Sequence, residues 1–258
     1  MEGRKKIDAY LSRISVAADR DQAPTIESLR MLQTRHLLSV PFENLDIHWK
    51  RPIVLNTERF CEKIVVNGRG GFCYELNGLF NELLCDLGFK TRLVSARVFA
   101  GERGFGPEFD HAAIIVSLDE KEYLVDVGFG DFATEPLEIA DGVEQADREG
   151  TFRINSVENG SFVVEKKNGD EWRNAYMFGT RDRDVAEFAE MCDFQQYSPD
   201  SHFTKGKLCS LMTENGRKTL TDGKFVVTSN GEKYESAVGS EQEFYTILER
   251  EFEIRPLL

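Results

Sequence analysis

Cys73 is the residue whose setting most suggests chemistry. It follows Gly70-Gly71 in the run Arg69-Gly70-Gly71-Phe72-Cys73 and opens an apolar stripe at 73, 76, 80, 84 and 87. A glycine pair lets the backbone turn sharply and lets another group come close. A helix start offers unpaired N–H groups and the positive end of the macrodipole, and both favour a thiolate. The stripe turns the side chain inward. Together these are properties of a nucleophilic cysteine, although a core thiol beside a simple turn would share them.

A nucleophilic thiol needs a base. His111 stands in Phe109-Asp110-His111-Ala112-Ala113-Ile114, at the mouth of an apolar strand. On the next strand, Tyr123-Leu124-Val125-Asp126-Val127 sets one carboxylate among apolar neighbours, where it needs a hydrogen-bond partner. An imidazole N–H meets that need and fixes the histidine tautomer. The order Cys, His, Asp then reads as nucleophile, base and orienter. If Asp119-Glu120 is a two-residue turn, His111 lies opposite Gly128 and Asp126 is its diagonal neighbour on the same face, roughly 7–8 Å away between backbones. A loop one residue longer or shorter would put the two on opposite faces. Strand counting permits the contact and does not require it. The bend Gly128-Phe129-Gly130 follows, where a ligand could approach the backbone or a barrel corner could simply turn.

The remaining candidates are weaker. Cys61, Cys192 and Cys209 show no glycine turn or nearby base. Cys85 lies on the same helix as Cys73 but far from its start. His36 falls on a leucine-bearing helical stripe and reads as a packed or half-exposed histidine, while His48 and His202 have no partner pattern. An odd number of cysteines with no CxxC, HxH or HExxH spacing argues against a disulfide framework and a metal site.

These residues must be positioned by two kinds of element. Most of the first ninety residues read as helical: a stripe at Ile7, Tyr10, Leu11 and Ile14, then a helix from Thr25 that ends at Pro41. An irregular stretch leads to the helix of Cys73, which Gly88 stops. From Phe89 the apolar period becomes two. Strands are expected over 91–98, 111–118 and 121–129, then around the hairpin signals Asn159-Gly160 and Asn168-Gly169. Such a meander tends to close into a barrel that hides its edges. A helix over 184–197, short strands turning at Asn215-Gly216 and Asn230-Gly231, and a terminal helix opened by the capping-box spacing Ser240–Glu243 complete the chain. The expected fold is α+β: a helical bundle over 1–88, an antiparallel β-barrel over 89–197 and an α/β lid over 198–258.

Composition narrows the partners. The 258 residues are 41% hydrophobic and 30% charged, an ordinary globular balance. The net charge of -13 argues against a nucleic-acid binder, which needs a basic face. No apolar run approaches the roughly 20 residues that span a bilayer, and the charged N-terminus lacks the apolar stretch of a signal peptide. A soluble cytoplasmic protein is expected.

Five segments carry a family likeness: Val40-Pro41-Phe42-Glu43-Asn44-Leu45, Arg69 to Asn77, Asp110-His111-Ala112-Ala113, Val125 to Gly130, and Ser198 to Phe203 followed by Asn215-Gly216-Arg217. In this order and spacing the sequence resembles the arylamine N-acetyltransferases. The resemblance implies a cysteine-protease-like core with Cys73 as nucleophile, His111 as base and Asp126 as orienter. It also implies that Gly128, Phe129 and Gly130 lie beside the coenzyme. Phe42, Val98 and Phe129 would line the acceptor pocket, and Arg69 and Glu43 would form an internal ion pair. The implied reaction moves an acetyl group from acetyl-CoA, a co-substrate rather than a resident cofactor, to arylamines or arylhydrazines in two covalent steps. The same triad order also suits a transglutaminase-like thiol amidase or a CoA-independent amide synthase. A barrel binder with an inert thiol is the non-enzymatic alternative.

Overall fold

In a computed structural model, residues 3–17 and 23–256 are described. Two helices come first, α1 (Gly3–Arg13) and α2 (Ile26–Ser39). The short strand β1 (Phe42–Glu43) follows, then α3 (Leu45–His48), then α4 (Thr57–Cys61), which runs on as a π-helical turn over Glu62–Val66. The stretch between Pro41 and Cys73, expected to be irregular, is thus partly helical. Its helix start is held by Asn56, whose side chain accepts hydrogen bonds from the Glu58 and Arg59 N–H groups. Next comes α5 (Cys73–Asp86), buried at every position from Cys73 to Phe80.

Eight strands form one antiparallel sheet: β2 (Lys90–Val98), β3 (His111–Leu118), β4 (Lys121–Val125), β5 (Leu137–Glu138), β6 (Gln145–Asp147), β7 (Gly150–Val157), β8 (Ser161–Asn168) and β9 (Glu171–Phe178). Their order is β5-β4-β3-β2-β9-β8-β7-β6. The edges β5 and β6 are joined by a side chain: Gln145 Oε1 accepts from Glu138 N at 2.7 Å, and Gln145 Nε2 donates to Glu138 O at 2.9 Å. One glutamine thus satisfies edge groups that would otherwise be open, and the sheet is a nearly closed barrel. Val94, Ala96, Ala113, Ile115, Leu124, Phe152, Ile154, Val164, Tyr176 and Phe178 fill its interior. The other face of β3 packs on α5, so β3 is buried on both sides from His111 to Val116. Its unbroken apolar run has that cause.

The last segment holds α6 (Ala189–Tyr197), strands β10 (Leu208–Thr213), β11 (Gly216–Thr221), β12 (Lys224–Ser229) and β13 (Glu232–Ala237), and α7 (Glu241–Phe252). These strands and β1 form a sheet of order β1-β10-β11-β12-β13, and Phe244, Ile247, Leu248 and Phe252 of α7 pack with Cys209, Leu220 and Phe225. Ser240 Oγ accepts from Glu243 N at 3.1 Å, the helix-start bond its spacing suggested. The architecture is α+β. Two units are discontinuous in sequence: 1–17, 35–72 and 189–258 make one, and 18–34 with 73–188 make the other.

Candidate active site

The hairpin between β3 and β4 decides which side chains meet. Leu118 pairs with Lys121 and Ile114 with Val125. Asp119 and Glu120 have φ of 50° and 62°, so both sit in the left-handed region of a two-residue turn. Of those loop lengths, this is the one that sets His111 and Asp126 on a common face. They meet directly, His111 Nε2 to Asp126 Oδ2 at 2.7 Å, with both side chains buried.

Strand β4 ends at Val125, four residues short of the expected Phe129. The backbone donors beyond it are taken by side chains instead of a ladder. Val127 N donates to Asn77 Oδ1 at 3.0 Å, and Gly128 N donates to Asp126 Oδ1 at 2.8 Å. Asn77 Nδ2 also donates to Asp126 Oδ1 at 2.9 Å and to Ala112 O at 2.7 Å. Tyr176 Oη donates to Asp126 Oδ2 at 2.9 Å. Four donors therefore surround one buried carboxylate. Burial alone would push its pKa up, but the charge and hydrogen bond of His111, with those of Asn77 and the Gly128 N–H, hold it below the ordinary carboxylate value. Burial, then the Asp126 charge, push the Tyr176 phenol well above its usual value, so Tyr176 stays a donor.

Asn77 lies one helical turn after Cys73, on the same face of α5. Gly128 locks that helix start to the barrel. A Cβ at Gly128 would stand 2.8 Å from Cys73 Cα and 2.7 Å from Asn77 Nδ2, so only glycine lets the backbone lie there. Gly70 meets a similar constraint before the helix: its Cβ would stand 2.0 Å from Pro41 O. Cys73 itself is buried. With Nε2 of His111 committed to Asp126, only Nδ1 of that ring is left for a thiol.

The ring of Phe129 stands 5.2 Å from His111 and 5.2 Å from Tyr176, walling the imidazole with aromatic surface. A Cβ at Gly130 would meet nothing within 4 Å, so the bend is open on that side. Val98 pairs with Tyr176 across β2 and β9, two residues along from Ala96, which pairs with His111. Cys73, His111, Asp126, Gly128 and Phe129 thus lie in one unit with Val98. Phe42 lies in the other, on β1, with its ring 6.0 Å from Phe203.

Two residues of the network, Asn77 and Tyr176, are given no part in the chemistry by the reading of the sequence, although Asn77 closes the Arg69–Asn77 segment of the family likeness. Asn77 was within reach of helical spacing, four residues from the thiol. Tyr176 carries no local signal, because only the pairing of β9 with β2 brings it to Asp126.

The first unit holds a second buried polar cluster. Arg69 reaches Glu43 at 2.5 Å and Asp46 at 2.6 Å, and Lys63 reaches Asp46 at 2.8 Å and Glu43 at 3.6 Å. Trp49 covers the Arg69 guanidinium at 4.6 Å. The expected Arg69–Glu43 pair is therefore half of a four-charge group. His36, read as packed or half-exposed, is fully buried with its Nδ1 2.8 Å from Tyr10 Oη, and burial and the Arg13 charge push its pKa down to about 3.

A mixed α and barrel architecture, with a thiol at a buried helix start packed against Gly128 and an imidazole bound to Asp126 two residues before that glycine, has the parts of a thiol-dependent acyltransferase. The family model for N-acetyltransferase matches residues 25–256. The arylamine N-acetyltransferase / N-hydroxyarylamine O-acetyltransferase of Salmonella typhimurium is 30% identical over 232 residues, 89% of this chain and 82% of that one. A solved structure of arylamine N-acetyltransferase from the same species matches with a TM-score of 0.90 at 28% identity, over 96% of this chain and 90% of that one. The Mycobacterium marinum enzyme in complex with CoA matches with a TM-score of 0.87 at 29% identity, over 96% and 92%. The chain belongs to the arylamine N-acetyltransferase family. Among the described residues, no helix is long and apolar enough to cross a membrane.

Proposed function

We propose that this chain moves an acetyl group from acetyl-CoA to arylamines or arylhydrazines in the cytoplasm, through a thioester on Cys73, with His111 as base and Asp126 as its orienter. The observation that carries this reading is the 2.7 Å bond between His111 Nε2 and Asp126 Oδ2 on a face locked to the helix start of Cys73.

In the first step the Cys73 thiolate, paired with the imidazolium of His111, attacks the carbonyl carbon of acetyl-CoA. The tetrahedral intermediate collapses, the bond from carbon to the coenzyme sulfur breaks, and CoA leaves with the proton that His111 returns. In the second step the amine nitrogen attacks the acetyl-enzyme carbonyl. His111 takes the amine proton, Cys73 leaves as thiolate, and the N-acetyl product departs. Asp126 holds one tautomer and stabilises the imidazolium without being protonated, since its four donors favour the anion. The N-terminal end of α5 stabilises negative charge on the sulfur throughout.

The open side of the bend at Gly130 supports Gly128, Phe129 and Gly130 as coenzyme neighbours, and the ring of Phe129 beside His111 supports it as an acceptor contact. Val98 and Phe42 complete the acceptor contacts in this reading. Small-molecule acceptor and acetyl-CoA are its partners, without nucleic acid or membrane. The test is intact mass after incubation with acetyl-CoA, followed by turnover with arylamines and hydrazines. One acetyl mass that an arylamine discharges, and that Cys73→Ala cannot carry, is expected. Labelling by a glutamine amide or peptide in place of acetyl-CoA would move the chain to thiol amidase chemistry.

A further inference from the structure

Two residues before His111 the backbone adopts a conformation that a bulky side chain rarely tolerates. Phe109 has φ of 67°, in the left-handed region, which persists for such a residue only where its surroundings enforce it. Three contacts do so. Tyr74 Oη donates to Phe109 O at 2.6 Å; Tyr74 is fully buried in the first turn of α5, next in sequence to Cys73. The Phe109 ring meets Phe188 edge-on at 5.1 Å, and the Tyr74 ring meets the same Phe188 at 5.3 Å. Arg183 lays its guanidinium 4.9 Å from the centre of the Phe109 ring and is anchored by Glu187 at 3.1 Å and by Glu108.

We propose that Tyr74 is a positioning residue for His111: its hydroxyl, with the clamp of Phe188 and Arg183, holds Phe109 in the left-handed conformation that feeds His111 into β3. This rests on the reading of His111 as base. If Phe109 relaxed to negative φ, Asp110 and His111 would turn with it and the imidazole would lose its line to Asp126. One helical turn then carries both the thiol and the hydroxyl that fixes the strand of its base. The separation of nucleophile and base is set by a rigid element rather than by the 99–110 loop.

The test reads iodoacetamide alkylation of Cys73 against pH in the full chain, by peptide mass, together with kcat and KM. Tyr74→Phe should slow alkylation at pH 7 by about tenfold and flatten its pH profile, with KM for acetyl-CoA unchanged and a cooperative melt. Glycine occupies the left-handed region freely. In a Phe109→Gly background, Tyr74→Phe should therefore cost no more than about twofold. A tenfold loss in both backgrounds, or a wild-type rate in Tyr74→Phe, overturns the proposal. If Tyr74→Phe does not fold, Phe109→Ala against Phe109→Gly decides. Alanine keeps the strain and loses the clamp, so it should react several-fold more slowly; alanine equal to or faster than glycine overturns the idea. A His111→Ala protein that alkylates as fast as wild type sinks the Cys–His reading itself, whatever Tyr74 does.

Discussion

Both units bury charge, and they neutralise it in opposite ways. Around Glu43 and Asp46 two carboxylates meet two cations, Arg69 and Lys63, inside the first unit. Around Asp126 one carboxylate meets three neutral donors and a single titratable ring. The first arrangement is closed, since every charge has a permanent opposite and none gains from moving a proton. In the second, the amide, phenol and peptide N–H groups hold the carboxylate without neutralising it, which in the proposed reaction leaves its charge to stabilise His111. Buried charge becomes useful for proton transfer where the compensation is mostly neutral.

The contrast can be broken at its sharpest point by Asp126→Asn. Turnover should fall on the order of 10³-fold, because an amide can neither fix the tautomer nor stabilise the imidazolium. The same variant reports on pH. A carboxyl held below its ordinary pKa adds stability that is full above that ordinary value and lost as pH falls through the folded one. The stability difference between wild type and Asp126→Asn should therefore narrow below about pH 4 in denaturant titrations. A difference that stays constant down to pH 2 would mean that the carboxyl is not held as an anion.

Arg69→Met attacks the other cluster. It leaves two buried carboxylates with Lys63 alone, and should cost about 3–5 kcal/mol in chemical denaturation. Single-turnover acetylation of the folded protein should stay within about threefold of wild type. A loss of chemistry as large as that of Asp126→Asn would erase the distinction between the two clusters.

Tyr176→Phe gives the smallest effect and the finest test. It removes one of four donors to Asp126 and should lower stability by about 1 kcal/mol and turnover by a few-fold. If turnover instead collapses with stability unchanged, the neutral donors do more than hold the carboxylate.

Much of this was written locally. Cys73 behind its glycines, the apolar stripe of α5, the two-residue period from Phe89 and the hairpin signals all act within a few residues, where backbone preference and side-chain periodicity dominate. The failures were equally physical. The strand expected to reach Phe129 stops at Val125 because Asn77, a residue of α5, and Asp126 capture the N–H groups that a ladder would use. The helix at Thr57–Cys61 was hidden because its cap is one asparagine and its apolar face is short.

What the sequence by itself determined is the set of chemical parts: a thiol at a helix start, an imidazole at a strand mouth and a lone carboxylate on an apolar strand. Periodicity and turn chemistry are properties of neighbouring residues, so they can be read along the chain. Only the tertiary structure decided that the imidazole and the carboxylate meet. The hairpin register rests on two left-handed residues with no glycine between them, and Tyr176 arrives through the pairing of β9 with β2. Gly128 matters because another element's Cys73 occupies the space of its missing side chain. Those are relations between segments far apart in sequence, and no local preference encodes them.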